Sequence, residues 1–86
     1  MRHRATRGFW QCYQQLPVSV RRLADKNFEL LKADSSHPSL QFKRLGKYWA
    51  ARVGAHYRAL AAEGSDGFVW FWIGSHAEYD RMIQRT

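Results

Sequence analysis

The chain has 86 residues, enough for one domain over residues 1–86 and too few for a large core, because so short a chain buries only roughly 60–65% of its unfolded surface. It is 45% hydrophobic and 15% aromatic without a low-complexity tract, which excludes disorder; its longest apolar run, residues 68–73, is far short of the about 20 residues a membrane span needs. Fourteen Lys and Arg oppose seven Asp and Glu, a net charge of +7, and ten of those cations are Arg, the residue suited to forked contact with phosphate; this points to a nucleic-acid or acidic protein partner, against the plainer reading of a basic soluble surface.

The first residues, Met1-Arg2-His3-Arg4-Ala5-Thr6-Arg7, are basic but lead into Gly8-Phe9-Trp10-Gln11 and not into an apolar signal core, so secretion is not expected. No element is assigned to residues 1–6. A short helix is predicted over 7–15, with Phe9, Trp10 and Tyr13 on one side. Cys12 is the single cysteine, which leaves no intramolecular disulfide and no cysteine metal site, and fits a reducing cytoplasm. Pro17 suits the first position of a second helix. From there Leu16, Val20, Leu23, Ala24, Phe28 and Leu31 recur on one face to about Ala33, and Arg21, Arg22, Asp25, Lys26, Glu29 and Lys32 occupy the other. Asp34-Ser35-Ser36-His37-Pro38-Ser39 breaks it.

The period then changes. Leu40 and Phe42 alternate with polar residues into Lys43-Arg44-Leu45-Gly46, and Tyr48 to Val53 alternates to a tight corner at Gly54-Ala55-His56. Tyr57 to Ala62 is the next strand, and Glu63-Gly64-Ser65-Asp66-Gly67 is a hairpin loop. Phe68-Val69-Trp70-Phe71-Trp72-Ile73 reads as a strand buried on both faces, with Phe68, Trp70 and Trp72 as a core-facing row. Ser75 and Glu78 have the spacing of a capping box, starting a closing helix that runs to about Arg85 with Tyr79, Met82 and Ile83 inward. The predicted class is α+β: an N-terminal helical pair packed on a twisted antiparallel sheet of three to four strands, with a C-terminal helix. All helices are placed on one face, leaving the other partly open.

Three groups could carry chemistry. Arg52 and Arg58 flank the Gly54 corner, so they fall about 5 Å apart across the ladder and on one face. The spacing permits a phosphate clamp; it also permits two surface arginines, one paired to Glu63, Asp66 or Glu78. His76 opens a helix just past a central strand, where backbone donors and the helix dipole favour an anion. The same terminus disfavours the imidazolium, and a neutral ring can take a proton and later return it; the competing role is a structural cap. Lys43, Arg44 and Lys47 lie together and could track a phosphate backbone, or blunt an edge strand. No His, Cys or carboxylate pattern with metal-ligand spacing occurs, and no Gly-rich phosphate loop; neither a metal nor another cofactor is expected.

The segments His37-Pro38-Ser39-Leu40-Gln41-Phe42-Lys43-Arg44-Leu45, Arg52-Val53-Gly54-Ala55-His56-Tyr57-Arg58-Ala59-Leu60 and Trp70-Phe71-Trp72-Ile73-Gly74-Ser75-His76-Ala77-Glu78-Tyr79-Asp80 resemble the RelE/ParE superfamily of type II toxin–antitoxin toxins, over nearly the whole chain from Phe9 to Ile83. The resemblance implies a cytoplasmic bacterial toxin neutralised by a cognate antitoxin. RelE-like members cut mRNA on the ribosome without a metal, the ribose 2′-oxygen attacking the adjacent phosphate. On that pattern Arg58 matches the arginine at the scissile phosphate, Arg52 lies near a basic position, and His76 takes the general acid/base place. Lys43, Arg44, Lys47, Tyr79 and Arg81 are the residues expected to contact the nucleic acid. ParE-like members instead poison DNA gyrase, which is the alternative activity. The chain departs from the mRNA cutters on the strand before Arg58, which reads Tyr48-Trp49-Ala50-Ala51 with its lysines earlier, at 43 and 47; Tyr79 lies about a helical turn before the family's C-terminal tyrosine.

Overall fold

A computed structural model of the chain describes residues 2–84. Strand β1 (Arg2–Ala5) leads into helices α1 (Arg7–Gln14) and α2 (Val18–Ala33). A short 3-10 helix (Pro38–Leu40) follows, then strands β2 (Lys43–Leu45), β3 (Tyr48–Val53), β4 (Tyr57–Glu63) and β5 (Gly67–Ser75), and helix α3 (His76–Gln84). Arg85, where the helix was expected to end, lies outside the described residues. The architecture is the expected α+β one: a helical pair, a sheet and a closing helix.

Local chemistry explains the boundaries. Thr6 caps α1, its hydroxyl accepting from the Phe9 N–H at 3.1 Å. Pro17 sits one place earlier than expected, as the residue that caps α2, with its carbonyl accepting from the Val20 and Arg21 N–H groups. Gly54 closes the β3–β4 corner with φ +66, a conformation that L side chains rarely adopt, and Leu23 of α2 packs against it.

The sheet has five strands in the order β1-β5-β4-β3-β2. The antiparallel meander β2 to β5 matches the sequence reading. The fifth strand does not: β1 pairs in parallel with β5, Arg2 to Ala5 against Gly67 to Trp70. The basic start is therefore an edge strand with alternating faces. Arg2 and Arg4 point out towards Asp66, at 3.7 and 3.6 Å. His3 points in, stacked on Phe68 and Trp70, with Phe28 edge-on. Its Nδ1 accepts a hydrogen bond from Trp70 Nε1 at 3.2 Å, and burial holds its pKa below the ordinary value.

The helices do not share a face. α1 and α2 cover a core of Leu16, Leu31, Leu40, Ala51, Val53, Ala59, Ala61, Phe68, Trp70 and Ile73. α3 lies on the opposite face, where Tyr79, Met82 and Ile83 pack with Ala50, Leu60, Phe71 and Trp72. The expectation of all helices on one side is thus corrected, and β5 is covered on both sides, as its apolar run requires.

A bulge divides the aromatic run of β5. Trp70 pairs with Ala61, whereas Trp72 pairs with Leu60, so the register shifts between Leu60 and Ala61. Trp70 and Trp72 oppose successive residues of β4, and successive residues of a strand face opposite ways. Phe68 and Trp70 accordingly enter the core under α1 and α2, and Trp72 turns to the α3 face. Simple alternation placed all three on one face; the extra residue reverses it.

Candidate functional site

The α3 face of the sheet brings the predicted groups together. Arg52 and Arg58 are direct partners in the β3–β4 ladder, and Arg58 is also the partner of Gly74 on β5. Arg52, Arg58 and Gly74 therefore form one row across three strands. Lys43 pairs with Ala50 and Ala50 with Leu60, which puts Lys43 on the same face one row away. Arg44 pairs with Trp49, and the alternation of β2 sends it to the other face. The expected basic cluster is thus divided by the sheet. Lys47 sits in the β2–β3 turn with its ammonium 5.4 Å from the Tyr48 ring centroid.

Neither arginine of the row forms an ion pair among the described residues. Arg52 Nε donates to the Gly54 carbonyl at 3.0 Å, and Arg58 Nη1 to the Tyr57 carbonyl at 2.9 Å. The three acids that could have neutralised them are engaged elsewhere. Glu63 accepts from Trp49 Nε1 at 2.9 Å, Asp66 faces Arg2 and Arg4, and Glu78 serves the helix cap. Two half-buried like charges in direct cross-strand opposition repel, and a bound anion is what removes that repulsion.

The strand-to-helix junction is built as its spacing predicts. The Glu78 N–H donates to Ser75 Oγ at 3.2 Å, while the Ser75 hydroxyl and backbone N–H donate to Glu78 Oε1 at 3.0 and 3.3 Å. The His76 N–H donates to the His56 carbonyl at 2.7 Å, tying α3 to the β3–β4 corner. His76 thus stands at the same end of the sheet as Arg52 and Arg58. Its Nδ1 lies 3.0 Å from Asp80 Oδ2, a partner missed in the sequence although the separation of four residues is the one that joins side chains on a helix.

Tyr79 connects the two halves. Its ring is 5.8 Å from His76. Burial raises the phenol pKa, and the nearby Arg58 charge opposes that rise. At 6% exposure Tyr79 is a core residue of this face; it offers no open ring to a base, and its inward position follows the helical spacing noted above. Arg81 is exposed on α3. Among the described residues no group of three or more His, Cys, Asp and Glu is arranged to hold a metal ion. No helix among them is long and apolar enough to cross a membrane.

The sequence model of the ParE-like toxin domain family matches residues 18–81. The fold is similar to that of the RelB–RelE antitoxin–toxin complex from Methanococcus jannaschii, with a TM-score of 0.71 at 18% identity over 91% of this chain and 96% of the other. It is similar to the YoeB/ParE toxin from Agrobacterium tumefaciens, with 0.67 at 18% over 88% and 99%. It is also similar to the isolated E. coli RelE toxin, with 0.62 at 10% over 96% and 95%. No curated protein matches the sequence. A family match over most of the chain and a shared fold over nearly all of it agree: the chain belongs to the ParE-like toxin domain family and has the RelE/ParE toxin fold.

Proposed function

We propose that this toxin is a ribosome-dependent mRNA endoribonuclease that arrests translation in the cytoplasm and is neutralised by a cognate antitoxin. The observation that carries the reading is the pair Arg52 and Arg58, opposed on one face without an acidic partner. Such a pair suits a phosphate whose charge grows during reaction, because fixed cations stabilise developing charge without rearranging.

In the reaction, His76 takes the proton of a ribose 2′-hydroxyl. The 2′-oxygen bonds to the adjacent phosphorus, Arg58 and Arg52 hold the added charge on the phosphoryl oxygens, and the bond to the 5′-oxygen breaks. The leaving 5′-oxygen takes the proton from His76, giving a cyclic phosphate and a 5′-hydroxyl. Asp80 orients the imidazole. Lys43, Lys47 and Arg81 hold the RNA backbone, and Arg44 serves the same backbone from the sheet edge. Tyr79 positions His76 and Arg58 from within the core. No cofactor takes part. The antitoxin partner is supported by solved relatives that are toxin–antitoxin complexes.

A second reading, DNA gyrase inhibition, is favoured by β3, which carries Tyr48, Trp49, Ala50 and Ala51 and no lysine. Induction of the protein separates the two. Codon-phased transcript cleavage with intact supercoiling, lost in Arg58→Ala and His76→Ala, supports cleavage. Gyrase-linked DNA breaks with intact transcripts reject it.

A further inference from the structure

The bulge in β5 places a tryptophan where a strand without it would not. Trp72 is turned out of the α1–α2 core and onto the face that carries Arg52, Arg58 and Tyr79. Bulges commonly re-aim one side chain beside a functional site. The indole does not stand straight up from its own row. It leans along the strand over Gly74: a Cβ at Gly74 would collide with the indole, with Cη2 only 2.9 Å away. Position 74 is thus a bare backbone floor, and the ring occupies the place that a side chain there would have filled.

Gly74 is the ladder partner of Arg58, and Arg58 of Arg52. Across the sheet the row therefore reads indole, guanidinium, guanidinium, at the interstrand spacing of about 4.8 Å. An RNA nucleotide presents its groups in the same order, a flat base and then, across the ribose, the phosphate that the two guanidiniums hold together. Trp72 is only half-buried.

We infer that Trp72 is the stacking platform for an RNA base next to the phosphate held by Arg58 and Arg52, positioned there by the β5 bulge and by the absence of a side chain at Gly74. The inference rests on the cleavage reading and adds to it the group that fixes the base. Stacking on an aromatic ring tolerates any base and favours the larger purines, since it reads the π-face and not the base edge. The site would thus prefer a purine over a pyrimidine without excluding either.

The test uses the full chain with ribosomes programmed by short mRNAs that differ only in the base flanking the cleaved bond. Wild type, Trp72→Phe, Trp72→Leu, Gly74→Ala and Arg58→Ala are compared, with thermal unfolding of each. Trp72→Phe should keep the purine preference. Trp72→Leu should lose about tenfold in cleavage and flatten the preference, a change that loss of packing alone does not produce. Gly74→Ala, which keeps the indole but displaces it, should do the same and carries the test if the leucine variant fails to fold. Equal rates and equal base profiles in folded Trp72→Leu or Gly74→Ala overturn the stacking role while leaving cleavage standing, provided Arg58→Ala is inert. A wild type that cuts none of the RNAs overturns both.

Discussion

Arg52 and Arg58 face each other directly across the β3–β4 ladder, and neither has a carboxylate partner among the described residues. Such an arrangement costs stability when empty and is relieved by an anion. Phosphate should therefore raise the unfolding temperature of the wild type, with about 1.4 kcal/mol gained when its concentration exceeds Kd about tenfold. Arg58→Ala should abolish that response and, in anion-free buffer, unfold within about 0.5 kcal/mol of the wild type. A phosphate titration followed by thermal unfolding decides it; a flat wild-type response removes the anion site.

The close packing of β1 on β5 gives a second expectation. A Cβ at Gly67 would run into the backbone of Arg2, including its carbonyl oxygen and its nitrogen. Gly67→Ala should therefore release β1 while the meander survives. Amide exchange of residues 2–5 and of their β5 partners should accelerate, with β3 and β4 unchanged. Protected amides in residues 2–5 of the variant would show that β1 is held by other means.

This strand also shows where the sequence stops informing. Its four residues are half charged, and its pairing is to a segment more than 60 positions away, so no local period announces it. The β3–β4 and β4–β5 hairpins of the meander were legible because each is fixed by a nearby turn, Gly54-Ala55-His56 and Glu63 to Gly67. For the same reason the opposition of Arg52 and Arg58 could be read from the length of one corner. The capping box was legible from two residues, Ser75 and Glu78. The bulge was not. One extra residue in β5 sends Trp72 to the face opposite Trp70, and nothing in Trp70-Phe71-Trp72 distinguishes a bulged strand from a regular one. The side taken by α3 was equally hidden, since the inward spacing of Tyr79, Met82 and Ile83 fits either face of the sheet.

His3 gives the fold a pH dependence of predictable sign. Burial, reinforced by positive charge that includes Lys32, lowers its pKa from 6.5. The unfolded chain then binds more protons than the folded one in the window below 6.5. Stability from this group is complete above that value and falls as pH drops towards the folded pKa. Protonation also removes the acceptor of the Trp70 Nε1 hydrogen bond. Denaturant unfolding between about pH 7.5 and 5 should show a loss on acidification that is smaller in His3→Gln. Parallel curves for the two proteins would assign the loss to other histidines.

The junction of β5 and α3 sets the position of His76, and its two supports should separate experimentally. Ser75 and Glu78 satisfy backbone N–H groups reciprocally, so Ser75→Ala should cost about 1 kcal/mol of stability. Asp80 pairs with the imidazole at an exposed position, and Asp80→Asn should change stability by no more than about 0.5 kcal/mol. Their effects on growth arrest should run the other way. Ser75→Ala leaves the imidazole paired with Asp80 and should stay toxic at temperatures where it is folded. Asp80→Asn removes the group that orients the ring while the protein remains intact, and should weaken growth arrest, with His76→Ala weaker still. Thermal unfolding alongside induced growth curves distinguishes these cases. If Asp80→Asn is as toxic as the wild type while His76→Ala is not, the imidazole works without its carboxylate; if both are fully toxic, His76 is a structural residue of the helix start.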